Sequence, residues 1–265
     1  MNLVAQRGIA LVLVLWIIAL LTSMATSLVV TTRTELSLAR NRLNEAELRA
    51  LSDAAVNMVA FRLASTVDED HWFPDGSPHQ WEFNGKTMEI KLYNEGSRID
   101  LNHASNTTLI GLFKAVDIAE TDAAQLANAL IDWRDPDDAS TFPGGGESSD
   151  YKAKGRPYGS KNAPITSIAE LRLILGFTPE VIASIIDAIT LHGNGDSILQ
   201  DYAPPLVLAA LGITAPPIPA IGAQRNLGGP VYRVQVKVVD EALMQETIFR
   251  RGGRGGSQIT IVERH

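Results

Sequence analysis

The stretch RGIALVLVLWIIALLTSMATSLVVTTRTELSLARNRLNEAELRALSDAAVNMVAFRLAST, residues 7–66, decides how the rest of the chain is read. From Ile9 through Thr32, 24 consecutive residues carry no charge, between Arg7 and Arg33. As an α-helix this run is roughly 36 Å long at about 1.5 Å per residue, enough to cross the hydrocarbon core of a bilayer. A secretory signal peptide has a shorter apolar core, about 7–15 residues, and ends at a small-residue cleavage site. This run is longer and has no clean Ala-x-Ala end, so a transmembrane anchor with Arg7 on the cytoplasmic side fits better. After Arg33, Leu36, Ala39, Leu43, Ala46 and Ala50 recur at three- and four-residue spacing, while Glu35, Arg40, Arg42, Glu45, Glu47 and Arg49 fill the other faces. No Pro or Gly interrupts Ile9 to Thr66, which predicts one continuous helix of about 58 residues, membrane-embedded first and amphipathic afterwards.

Beyond the helix, the 265 residues are 45% apolar, enough for a buried core. The balance of 23 basic against 30 acidic residues gives a net charge of −7, a poor match to nucleic-acid phosphates. The absence of cysteine excludes disulfides, thiolate metal sites and cysteine nucleophiles. Residues 65–85, punctuated by Pro74, Gly76, Pro78 and Gly85, read as a loop, with Trp72 and Trp81 folding back onto the helix. Thr87–Asn94 has β character, and Asn94-Glu95-Gly96 signals a turn before a further extended piece at Ser97–Leu101. The pattern then turns helical through Thr107–Val116, Thr121–Arg134, Ile168–Leu175, Pro179–Leu191 and, between proline clusters, Leu206–Leu211. It returns to strands at Tyr232–Val239, Ala242–Arg250 and Ile259–Val262, with Gly252–Gly256 as a hairpin loop. A helical block of roughly a hundred residues thus separates two sets of strands.

Arg7 and Gly8 lie directly before the apolar run. A short charged leader, a Gly, then an apolar helix continuing into an amphipathic one resembles the type IV pilin class of precursors. In that class the leader is cut after the Gly, here between Gly8 and Ile9, by a dedicated prepilin peptidase, and the new amine, here on Ile9, is methylated. Most members carry Glu at the fifth mature position, where this chain has Leu13. One branch typically lacks that Glu, the minor pseudopilin K family of the type II secretion system. The chain is similar to it at residues 7–16 and 32–63, and at LNHAS (101–105), DWRDPDD (132–138), GGES and DY (145–151), RPYGSKNAPITSIAEL (156–171) and YAPPLVLAAL (202–211).

The resemblance implies an α+β fold, in which a pilin-like long N-terminal helix packs on a small antiparallel sheet and a large all-α domain is inserted between strands. The segments expected are a leader at 1–8, a transmembrane helix at 9–32, pilin-like helix and first strands at 33–101, the inserted domain at 102–217, and C-terminal strands at 218–265. It also implies a bacterial inner-membrane protein with its bulk in the periplasm. Its expected role is a minor pseudopilin that caps and helps initiate the pseudopilus, in a tip complex with I and J type minor pseudopilins. The helix surface near Leu43–Phe61 is the expected contact. The alternatives are a minor pilin of a type IV pilus or DNA-uptake machine, and a membrane-anchored periplasmic hydrolase.

Six carboxylates crowd between Asp132 and Asp150 with one base, Arg134, and such a loop is either solvated or built around a cation. Asp135 and Asp137, with Glu147 and Asp150 returning across the glycine loop, can supply calcium with oxygens. No EF-hand pattern is present: the sixth loop position is not Gly, and Gly146 stands where Glu belongs. The family resemblance implies calcium here, one or two ions. Ser148 replaces an acid often found after Glu147, a departure that bears on the second ion. Asn102-His-Ala-Ser and Ile168–Leu191 resemble paired helix–hairpin–helix units, which either bind DNA phosphates or pack within the insertion; their hairpin glycines are largely missing, and no nucleic acid is expected. Enzyme motifs are thin. There is no P-loop, Gly-x-Ser-x-Gly or His-Glu-x-x-His, and Ser149 to Lys152 matches Ser-x-x-Lys only formally. The His residues at 71, 79, 103, 192 and 265 are scattered, and Trp133 reads as a core anchor.

Overall fold

The structure, a computed structural model, describes residues 5–65, 71–193, 195, 197–214, 230–239, 244–252 and 258–264. The chain falls into two compact units, residues 1–51 and 52–265. The expected boundary between anchor and pilin-like domain was at 32/33. The one between insertion and last strands, at 217/218, lies outside the described residues.

Helix α1 spans Ala5–Ala64, as the uninterrupted sequence requires. Its apolar side chains from Leu11 to Leu43 are exposed, Leu13 and Trp16 among them. It is the one helix, among the described residues, that is long and apolar enough to cross a membrane, with a mean hydropathy of 2.3 over its most apolar stretch. Threonines of that stretch are satisfied within the helix. Thr22 and Thr26 donate their hydroxyls to the carbonyls of Ile18 and Thr22, at 2.7 and 2.8 Å. Hydrocarbon offers no other partner for them.

In the second unit the last turns of α1 bury a stripe at Ala55, Val56, Val59 and Leu63 against a five-stranded antiparallel sheet. The strands are β1 (Asp75–Phe83), β2 (Lys86–Asn94), β5 (Val231–Val238), β6 (Met244–Gly252) and β7 (Gln258–Arg264), hydrogen-bonded in that order. Alternation along β2 and β5 sends Met88, Ile90, Leu92, Val234, Val236 and Val238 inward, the period of two that the sequence displays. Ser52 and Thr247 share a buried hydroxyl contact of 3.0 Å, and Arg264 holds Asp53 at 2.5 Å, which latches the last strand to the helix.

Strand β1 corrects the expected loop at 65–85. Gly76 and Pro78 made that stretch look irregular, but β1 is an edge strand. A register shift between Asp75 and Pro78 absorbs both residues, and an edge tolerates a residue that cannot donate to a neighbour. Trp72 does return to the helix, beneath the Arg62 guanidinium at 5.9 Å, whereas Trp81 stacks on Phe83 of its own strand.

Between β2 and β5 lies an insertion with its own core, built on Leu109, Leu112, Phe113, Leu126, Leu130 and Trp133. Its helices are α2 (Asn106–Lys114), α3 (Glu120–Arg134), α4 (Ser148–Ala153), α5 (Pro179–Ile185) and α6 (Pro205–Ala210). Two short parallel strands, β3 (Ile99–Asp100) and β4 (Ile189–Thr190), close its neck. That pairing explains a second correction. The helix expected at Pro179–Leu191 ends at Ile185 and passes through a 3-10 turn, because Ile189 must extend to pair with Ile99. The expected helix at Ile168–Leu175 is a 3-10 segment, Ile168–Leu173, and Ser149 to Lys152, read as loop, is helical in α4. The expected loop at Gly252–Gly256 lies, apart from Gly252, outside the described residues.

A candidate cation cradle in the insertion

Helix α3 stops where Pro136 forces the preceding residue out of the helical region. Asp135 caps the helix in extended conformation, its N–H bonded to the Ile131 carbonyl at 2.9 Å. One turn earlier Asp132 is fully buried, and its carboxylate accepts N–H groups from Thr141 at 3.0 Å and Gly146 at 2.8 Å. This staple folds residues 135–147 back against α3. The approach is close enough to demand glycine: a Cβ on Gly145 would lie 1.8 Å from Ser140 Oγ. The fold-back delivers Glu147, 2% exposed, to the start of α4 beside Asp135. Asp137 forms its own turn, accepting the Ala139 N–H at 2.8 Å.

One carboxylate oxygen from each of Asp135, Asp137 and Glu147 lies within 4.8 Å of the others. A third wall comes from Gly159–Asn162. Ser160 donates its hydroxyl to Glu147 Oε2 at 2.9 Å, and the Asn162 amide donates to the Asp137 carbonyl at 3.1 Å and to Asp138 Oδ1 at 2.9 Å.

Asp135 Oδ1, Glu147 Oε1 and Asn162 Oδ1 are buried without a donor, and among the described residues no other side-chain oxygen is in that state. Buried acceptors without donors are costly, and two of the three belong to the carboxylate cluster, where a cation would satisfy them. The charges agree. Burial pushes the Asp135 carboxyl above its ordinary range, Asp137 and Asp132 add to the shift, and Arg134 only partly opposes it. Arg134 is turned aside, donating to the carbonyls of Leu101 and Ala104. Burial likewise raises the Glu147 carboxyl, against the Ser160 hydrogen bond, with Asp132, Asp135 and Asp138 adding to it. A hard divalent ion that takes six to eight oxygens, as calcium does, suits this donor set.

Of the four expected ligands, the structure brings Asp135, Asp137 and Glu147 together. Asp150 stands behind them in the first turn of α4, where its Oδ2 accepts the Glu147 N–H at 3.0 Å and the Ser140 hydroxyl at 3.2 Å. Ser160 and Asn162 were not legible as site residues; the one local hint is the Asn in Lys161-Asn162-Ala163, which adopts a left-handed φ of 49°. At the other expected site, the backbone of Gly8 and Ile9 is helical within α1.

A second charged centre lies at the insertion's neck. Glu95, fully buried, accepts from Arg233 at 2.8 and 3.0 Å and from the Thr190 hydroxyl, with Arg98 at 3.8 Å. A cleft of about 430 Å³ opens beside it, lined in part by Ser167, His192, Arg233 and Glu246. His192 is held by Glu263 at 2.9 Å, the Ser167 hydroxyl accepts the Ala169 N–H, and no hydrogen bond joins the two side chains as a nucleophile–base pair requires.

Residues 90–193 match the model of a family described as type II secretion system (T2SS), protein K. The fold is similar, with a TM-score of 0.60 and 15% identity, to a chain in the crystal structure of the GspK-GspI-GspJ complex from the enterotoxigenic Escherichia coli type 2 secretion system. That likeness covers 86% of this chain and 98% of the other. No match was found among curated proteins.

Proposed function

We propose that the chain is a protein K of the type II secretion system, a minor pseudopilin that caps the tip of the pseudopilus and helps to initiate it; the family model over residues 90–193 and the likeness of fold support this reading. The observation that carries the reading is Leu13 within an uncharged run from Ile9 to Thr32, on a chain that also bears a large inserted domain. In a pilin filament, a Glu at the fifth mature position neutralises the buried terminal amine of the subunit above. An unpaired charge in that low-dielectric bundle costs several kcal/mol. Leu13 cannot make the pair, so the chain is unsuited to a position with a subunit above it. A tip subunit has none above it, and an end position leaves room for the insertion.

In this reading the prepilin peptidase cuts between Gly8 and Ile9, and Ile9 is methylated. The single span then leaves the second unit in the periplasm, opposite Arg7. The partners are smaller minor pseudopilins of I and J type, the company in which the similar chain was crystallised. The role is structural, with no reaction to catalyse. Asp135, Asp137 and Glu147, joined by Asn162 and backed by Asp150, hold at least one calcium ion that ties the loop 135–147 to α3, α4 and the third wall. A nucleic-acid role is disfavoured at the α2–α3 turn. There Asp117, at φ 63°, occupies the left-handed position of the hairpin, so a carboxylate would meet the phosphate.

Gold-labelled full-length protein expressed with the secretion machinery tests the tip assignment. Label confined to filament ends is expected; even labelling along the filaments contradicts it. N-terminal sequencing of the same material is expected to begin at methylated Ile9.

A further inference from the structure

Two walls of the cradle come from residues 132–150, which the α3 end, the Asp132 staple and α4 make nearly continuous. The third wall belongs to a separate stretch. Ser160 and Asn162 face the carboxylates, and Lys161 between them reaches the other way. Its Nζ lies 2.8 Å from both carboxylate oxygens of Glu170. Glu170 also accepts the Thr166 N–H at 3.0 Å, the Thr166 hydroxyl at 2.6 Å and the Trp133 indole N–H at 3.4 Å. Burial alone would raise the Glu170 carboxyl, but Lys161, Thr166 and Trp133 outweigh it and bring it down to about 2. The group is therefore a permanent anion with every nearby donor aimed at it. One carboxylate thus grips the third wall through Lys161, and through Trp133 it grips the helix end from which Asp135 departs.

We propose that Glu170 is a positioning residue for the cation: through Lys161 it sets Ser160 and Asn162 against Asp135, Asp137 and Glu147 without itself touching the ion. The inference rests on the reading of the cradle as a calcium site. Partners of this kind, one step behind the ligands, typically cost about 10- to 100-fold in metal affinity when removed. The route through Lys161 also predicts a pattern. Loss of either member of the Lys161–Glu170 pair releases the same wall, so the two losses do not multiply.

The test is calorimetric titration of calcium into the full chain, purified in detergent and stripped with chelator, beside its melting temperature in chelator. The wild type is expected to bind calcium. Glu170→Gln and Lys161→Met are each expected to weaken binding about tenfold or more, and the double variant no further than the weaker single. Lys161→Met decides the matter should Glu170→Gln not fold. Wild-type calcium affinity in the single variants, even with a lowered melting temperature in chelator, makes Glu170 a merely structural residue and overturns the proposal while the cradle stands. A double variant weakened by the product of the singles overturns the route through Lys161. Absence of calcium binding in the wild type removes the cradle reading itself and the proposal with it.

Discussion

The second unit holds two carboxylate centres of opposite character, one fully buried and one partly open to solvent. At the neck, Glu95 is enclosed by Arg233, Arg98 and Thr190, and the Arg98 guanidinium also lies over the Tyr93 ring at 5.0 Å. In the cradle, Asp135 and Glu147 face each other and Asp137, and the one nearby guanidinium, Arg134, is committed to backbone carbonyls. The neck brings its own cations; the cradle leaves acceptors open. A protein interior tolerates crowded charge when counter-charges are built in, and otherwise relies on an ion from solution. One centre is therefore a fixed clasp between the insertion and the sheet, and under the proposed calcium reading the other is a conditional one.

Four perturbations separate these two kinds of centre. Replacing Glu95 by Ala leaves the buried Arg98 guanidinium without its carboxylate and Arg233 with Glu246 alone, at 3.4 Å, and is expected to cost about 3–5 kcal/mol. Equilibrium denaturation should give the same loss with calcium and with chelator; a loss that calcium repairs would join the two centres into one. Calcium itself is expected to add about 2.7 kcal/mol of stability at a hundred times its Kd, following RT ln(1 + [L]/Kd). Glu147→Gln should abolish that increment and leave the chelated protein at least as stable as wild type, since it removes a buried negative charge beside Asp135 and Asp132. A calcium-dependent rise that survives in Glu147→Gln would move the ion elsewhere.

The third perturbation is acid. Glu170 has its carboxyl depressed to about 2 from an ordinary 4.5, so the folded state binds its proton less readily than the unfolded chain. Its contribution is fully present above about pH 4.5 and is lost as pH falls toward 2. The loss is on the order of 2 kcal/mol for a side chain that keeps some exposure to water. Acid denaturation of Glu170→Gln, in chelator, should be flatter over that window; an unchanged slope would mean that Glu170 is not held as described. The smallest effect is expected at Asp150, which fixes the Glu147 N–H. Asp150→Ala should cost about 1 kcal/mol as a lost helix cap and weaken calcium less than Glu147→Gln does. Equal loss in the two variants would make Asp150 a direct ligand.

The scaffold was legible in the sequence wherever one period dominated. The uninterrupted run from Ile9 to Thr66 foretold α1 almost to its end at Ala64. The alternation in Tyr232–Val239 foretold β5, because that strand is central in the sheet with one face buried and the other more open. Edge and neck elements were hidden by the same logic. Strand β1 carries Gly76 and Pro78 because an edge permits them, and β4 interrupts a helical pattern because it must pair with β3. The cradle was half legible. Asp135, Asp137 and Glu147 sit in one acidic stretch, whereas Ser160 and Asn162 come from a separate stretch where they look like ordinary loop polarity. Asp150 was seen as a fourth acid in the loop, and only the helix beginning at Ser148 shows that its carboxylate serves the backbone.

The most direct test of the contrast between the two centres is a crystal structure of the protein grown in calcium, with anomalous diffraction to identify the ion. The account predicts one anomalous peak in the cradle, with Asp135 Oδ1 and Glu147 Oε1 at about 2.3–2.6 Å from it, and none beside Glu95. An ordered cradle in which those two oxygens are bridged by water or by a shared proton, with no ion, would contradict it.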